Sequence, residues 1–124
     1  MSLLAFLLVG AGGAAGALCR FKALTFLKPR MHGRFPLATL LINLTSCTIA
    51  GAALAGAFAL GQIAYTALTM GFLGGFSTLS TMNCEAVDLA SEGHRGMAAA
   101  YVVATYASTL GAAAVGFAAA SALM

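Results

Sequence analysis

The sequence is poor in charge. Six lysines and arginines and three acidic residues make 7% of its 124 residues charged, where a soluble domain carries about a quarter. So few charged groups cannot cover a water-exposed surface of this size. Disorder is excluded too, because disordered chains lack large apolar side chains and 61% of this chain is hydrophobic. No positive residue precedes the apolar start, so no cleaved secretory signal is expected. Leu18 is too large for a lipoprotein cleavage site before Cys19. Cysteines number only three, Cys19, Cys47 and Cys84, without metal-ligand spacing, and read as small buried apolar residues. What remains is an all-α integral membrane protein. One crossing takes about 20 apolar residues, which leaves no room for a separate catalytic domain.

Polar punctuation divides the chain into four apolar blocks, 3–27, 36–60, 63–89 and 96–123. They predict a single domain of four antiparallel transmembrane helices. Pro29 stops the first block within the basic stretch Lys28-Pro29-Arg30-Met31-His32-Gly33-Arg34, and Pro36 opens the second, where its missing N–H does no harm. Gly61-Gln62 is a minimal turn, and residues 90–95 form the second polar loop. Gly12 and Gly16, Gly51 and Ala55, and Ala52 and Gly56 are spaced by four, as in closely packed membrane helices.

The third block carries the main anomaly, Gly71-Phe72-Leu73-Gly74-Gly75-Phe76-Ser77-Thr78-Leu79-Ser80-Thr81. Paired glycines and four hydroxyl residues predict a helix broken at Gly74-Gly75. Freed backbone groups are tolerated in a bilayer only where protein or a water-filled cavity receives them, and transporters and channels use such breaks to bind ions. Other uncharged polar residues fall at the same depth. Thr39 and Asn43 share a face of the second block, and Tyr101, Thr105 and Thr109 make a stripe along the fourth. With Ser80 and Thr81 they form a candidate anion pathway, since each offers a hydrogen-bond donor.

Lys28, Arg30 and Arg34 lie in the first loop and Arg95 in the third, on one membrane face. They read as orientation signals placing both termini outside, not as a nucleic-acid contact. His32 and His94 sit in loops with no mark of a ligand. Asp88 and Glu92 read as a solvated helix end, and Glu85 lies nearer the break. No nucleophile with a base or metal set points to an enzyme.

Gly12-Gly13-Ala14-Ala15-Gly16-Ala17-Leu18-Cys19-Arg20-Phe21 resembles the first-helix motif GGxxGAxxRY of the Fluc/CrcB fluoride channels. Ala38-Thr39-Leu40-Leu41-Ile42-Asn43 is similar to their GTLxxN, and residues 71–82 to GFxGGxTTFSTF, followed by a glutamate at Glu85. The resemblance implies a passive fluoride channel in the inner (plasma) membrane, lowering cytoplasmic fluoride through the pores of an antiparallel dual-topology dimer. It also implies a central structural sodium ion, held by backbone carbonyls that map to Gly74 and Ser77. Asn43 maps to the pore asparagine, the stripe of Tyr101, Thr105 and Thr109 to the polar track, and Arg20 with Glu85 to the vestibule.

The two motif phenylalanines, whose positive ring edges would face the ion, are Leu79 and Met82 here. With the one-sided charge, this suggests a partner that is either a second copy or a related, oppositely inserted subunit supplying the aromatics. Alternatives are a proton-coupled multidrug exporter subunit, which would want a glutamate absent from the first block, and a non-conducting scaffold subunit.

Overall fold

The computed structural model describes residues 2–31, 33 and 35–124; the orientation signal at Arg34 and the loop reading of His32 lie outside the described residues. All regular structure among the described residues is helical. α1 (Leu3–Leu27) starts at Ser2, whose hydroxyl accepts the Ala5 N–H at 3.1 Å. It runs on through a 3₁₀ turn at Lys28–Arg30 with Pro29 at a first-turn position, where proline is tolerated. α2 (Leu37–Ala55) ends at Gly56, and a short α3 (Ala57–Leu60) reaches Gly61, whose φ of +85° makes the turn into the next segment.

That next segment is not one helix. α4 (Gln62–Thr66) opens into a π-helical stretch, Ala67–Leu73, which closes into α5 (Gly74–Phe76). The chain is extended at Ser77 and Thr78, and α6 (Leu79–Ser91) follows. Gly93, with φ +88°, turns the chain into α7 (Arg95–Leu123). The expected break at Gly74-Gly75 is therefore corrected to Ser77-Thr78. Both glycines stay helical, with Gly75 held against the Gly13 backbone, and the residues after them hold the partners that replace helical hydrogen bonds.

Three helices are long and apolar enough to cross a membrane, Leu3–Arg30, Leu37–Ala55 and Arg95–Leu123; the interruption keeps the third block from being a fourth. α2 packs along α7, α1 along the π-helical stretch and α5, and α6 against α7. Close backbone approach holds both main pairs. A methyl group built on Gly16 would overlap the Phe72 carbonyl, and one on Gly75 the Gly13 carbonyl. Gly51 meets Ala113, and Gly116 meets Thr48, in the same way across α2 and α7. Of the four-residue pairs, Gly12 and Gly16 both face the π-helical stretch, whereas Gly56 has only distant neighbours.

The outside is apolar, with Phe6, Phe21, Phe58, Leu110 and Val115 exposed, while Thr39, Asn43, Ser46, Thr78 and Thr105 are buried. That inversion suits a lipid solvent, which cannot satisfy polar groups. The apolar core sits where α2, α6 and α7 meet, formed by Leu40, Met82, Leu89, Ala98 and Tyr101. Phe35 meets Tyr101 edge to face, with ring centroids 5.3 Å apart.

Candidate functional site

The break is built by partners that take over the backbone groups a helix would have used. The Thr78 N–H donates to Asn43 Oδ1 at 2.9 Å, and Asn43 Nδ2 donates to the Thr78 carbonyl at 3.1 Å. One amide side chain thus satisfies both backbone groups of an extended residue inside the bundle, the condition for irregular backbone at membrane depth. Thr78 Oγ1 caps α6 by accepting the Thr81 N–H at 3.2 Å, and donates to Thr81 Oγ1 at 2.9 Å. Ser77 Oγ donates to the Leu73 carbonyl at 2.8 Å. Replacing Thr78 with alanine should lower stability by about 0.5–2 kcal/mol, the usual effect of losing an N-cap. Serine should retain the stability, and thermal unfolding in detergent distinguishes the two.

A cleft of about 170 Å³ opens beside the break. Asn43 and Cys47 of α2, Ser77, Thr78 and Leu79 of the break, and Thr105, Tyr106 and Thr109 of α7 line it. Most of their hydroxyl protons already have acceptors: Thr109 Oγ1 donates to the Thr105 carbonyl at 2.6 Å, and Ser77 and Thr78 are bonded as described. Thr105 is a buried exception. Its Oγ1 is buried, in a residue 4% exposed, and has no partner among the described residues. Asn43 also keeps a second N–H beyond the one given to Thr78. The wall therefore holds uncharged donors in reserve, which is what a small dehydrated anion requires.

The structure brings only some of the predicted site residues together. Asn43, Ser77, Leu79, Thr105 and Thr109 come together at the cleft. Thr39 and Tyr101 lie fully buried towards the loop end, and the Tyr101 hydroxyl donates to Glu85 Oε1 at 3.4 Å. Ser80 is exposed, and the Thr81 hydroxyl is engaged by Thr78. Met82 is 0% exposed in the apolar core, whereas Leu79, three residues away, is 55% exposed at the cleft. Arg20 is half-buried on α1, and Gly74 lies in α5.

A second cleft, about 340 Å³, lies at the loop end between Lys28, Phe35 and Pro36 on one side and Glu85, Asp88 and Glu92 on the other. Glu85 lines this cleft and accepts the Tyr101 hydroxyl. Cys47, Thr78 and Tyr106 are cleft residues that sequence reasoning did not select. Cys47 was within reach of it, standing four residues after Asn43 and so on the same helical face.

Residues 7–117 match the family described as CrcB-like protein, Camphor Resistance (CrcB). A relative from Carboxydothermus hydrogenoformans, named fluoride-specific ion channel FluC 1, is 41% identical over 87 residues, covering 70% of this chain and 69% of its own. Listeria innocua FluC 1 is 36% identical over 114 residues, covering 92% and 95%. Natronomonas pharaonis FluC 2 is 39% identical over 110 residues, covering 89% of each. These relatives are named as channels, not enzymes. A profile match over nearly the whole length, on helices that present apolar surface outward and polar groups inward, identifies this multi-pass membrane chain as a member of the CrcB family.

Proposed function

We propose that the chain forms a passive fluoride-selective channel in the plasma membrane, crossing it four times, with the interrupted segment 62–91 as the third crossing. The observation that carries this reading is the cleft at the break, uncharged and walled by Asn43, Thr105 and Thr109, with donors of Asn43 and Thr105 unused. Uncharged donors bind a hard anion without holding it, as conduction demands. The names of the relatives supply the ion. Hydrogen fluoride enters a cell neutral and dissociates there, and a negative membrane potential drives the anion out, so no energy-coupling domain is needed.

The cleft is open in the single chain, and its completion is assigned to an antiparallel partner. Leu79 stands at the cleft where the resemblance expects an aromatic edge, and Met82 is enclosed by its own core. Lys28, Arg30, Arg34 and Arg95 favour one insertion direction. Both features support a related, oppositely inserted subunit as the partner. Leu79→Phe, at an exposed position, should be accommodated and raise efflux. Met82→Phe adds volume to a filled core and should cost about 1–3 kcal/mol.

A sodium ion at the break fits the donor set. The N–H groups of Thr78 and Thr81, which helical turns would direct at the Gly74 and Ser77 carbonyls, are bonded instead to Asn43 and to Thr78 Oγ1. Those two carbonyls would hold the ion, and hard oxygen ligands suit it. The ion would supply fixed positive charge, stabilising the break.

The test is fluoride efflux from proteoliposomes containing the chain alone or together with a related partner. Efflux only with the partner is expected. Efflux from the chain alone would overturn the paired reading, and silence in both preparations would overturn the channel.

A further inference from the structure

Leu18, Lys22, Phe26 and Arg30 follow one another at intervals of four along α1 and the 3₁₀ turn that extends it, so they share one face. All four are exposed, Leu18 by 62% and Phe26 by 57%. Arg30 is held back onto that face. Its guanidinium carbon lies 3.8 Å from the Phe26 ring centroid, and Nη1 donates to the Phe26 carbonyl at 2.8 Å. One N–H of the guanidinium is used in this way, and the rest of the planar fork remains available.

The stretch Leu3–Arg30 is long and apolar enough to cross a membrane, and Arg30 stands at its loop end. Lys22 lies about 12 Å before Arg30 along the axis, inside the apolar stretch. A lysine at that depth is costly unless its flexible stem carries the ammonium towards the headgroups, or a counter-charge meets it. The acidic residues of the chain are placed elsewhere. Glu85, Asp88 and Glu92, all that the sequence holds, line the loop-end cleft with Lys28. The counter-charge for Lys22 and Arg30 is left to the surroundings, and around an exposed membrane helix those are lipid.

We propose that Lys22 and Arg30 hold the headgroup phosphate of an anionic phospholipid, whose acyl chains lie against the apolar surface of α1 that Leu18 continues. The guanidinium fork matches the phosphate oxygens, and Lys22 adds a point charge. Two cations meeting one phosphate select a lipid with net negative charge, because a zwitterionic headgroup brings a cation of its own to the same place. Phe26 keeps the guanidinium ordered before binding, so less freedom is lost when the lipid arrives. The site rests on residence in the bilayer and not on ion conduction.

Native mass spectrometry of the full chain in detergent, titrated with phosphatidylglycerol or phosphatidylcholine, tests this. Phosphatidylglycerol should bind about tenfold or more tightly than phosphatidylcholine, from two cations acting near one headgroup. Lys22→Gln/Arg30→Gln should bring the two lipids within about twofold, because the phosphate then meets neither cation. Lys28→Gln/Arg95→Gln removes as much charge from the same end of the bundle and should keep the preference. Phe26→Leu keeps every charge and should weaken phosphatidylglycerol alone by about two- to fivefold, the effect of an exposed cation–π contact. All five substituted positions are exposed, so the variants should stay monodisperse. Equal uptake of the two lipids by the unaltered chain, or uptake of neither, would overturn the proposal. So would an equal loss of preference in both double variants, which would reduce the effect to net charge. Displacement of the lipid by excess inorganic phosphate would assign the face to a soluble anion and overturn the lipid. If Lys22→Gln/Arg30→Gln cannot be recovered, Phe26→Leu decides, and unchanged phosphatidylglycerol binding overturns the site.

Discussion

Asn43→Asp should abolish fluoride efflux while costing only part of the stability that Asn43→Ala costs. The alanine removes both hydrogen bonds to Thr78 and leaves its N–H and carbonyl buried without partners. Each unsatisfied group costs about 1–3 kcal/mol, so this variant should unfold at distinctly lower temperature or fail to accumulate. Aspartate keeps an acceptor for the Thr78 N–H and nearly the same volume. It loses only the donor to the Thr78 carbonyl, but sets a carboxylate in the cleft wall. A negative charge about 4 Å from a passing anion raises its energy by roughly 4 kcal/mol at an effective dielectric constant of about 20. That corresponds to a loss of about a thousandfold in occupancy. Paired measurements of thermal unfolding and efflux separate the two roles. A well-folded aspartate variant that still passes fluoride would remove Asn43 from the pathway and leave it as a backbone clamp.

Gly16→Ala and Gly75→Ala should be strongly destabilising, and Gly10→Ala and Gly111→Ala should have the opposite sign. Alanine is the better helix former by about 0.8–1.0 kcal/mol, so the local preference favours all four changes. Packing decides against two of them. The added methyl at Gly16 would overlap the Phe72 carbonyl, and at Gly75 the Gly13 carbonyl, and neither obstacle is a movable side-chain end. Separating α1 from the π-helical stretch and α5 to make room should cost about 1–3 kcal/mol or more, and tilts the break against α2. Gly10 and Gly111 have nothing within 4 Å of an added methyl. The fraction of monodisperse protein after graded heating reads out all four, and equal behaviour would show that the glycine contacts do not hold the helices together.

The class of the protein was legible from composition, because a bilayer excludes charge from every surface it touches. Helix ends were legible where local chemistry decides them, as at Pro29, Pro36 and Gly61. Asn43, Thr105 and Thr109 stood out because a polar group on an apolar helix needs a reason, and the structure brings all three to one cleft. The position of the break was not legible. Gly74-Gly75 is the weakest helical pair in isolation, yet Gly75 is held against Gly13 and both stay helical. Thr78, an ordinary residue by sequence, is extended because Asn43, 35 positions earlier, offers a donor and an acceptor together. Leu79 and Met82 were equivalent as motif positions and are opposites in place, one at the cleft and the other enclosed.

By itself, then, the sequence determined the solvent, the helical content and the inventory of uncharged donors. These follow from residue type and spacing and need no distant contact. Tertiary structure decided where the third block breaks, which donors remain unused and which thiol meets the cleft. Each of those depends on a hydrogen bond or a backbone contact between residues far apart in the chain, and local propensity does not encode which remote group will be there to meet it.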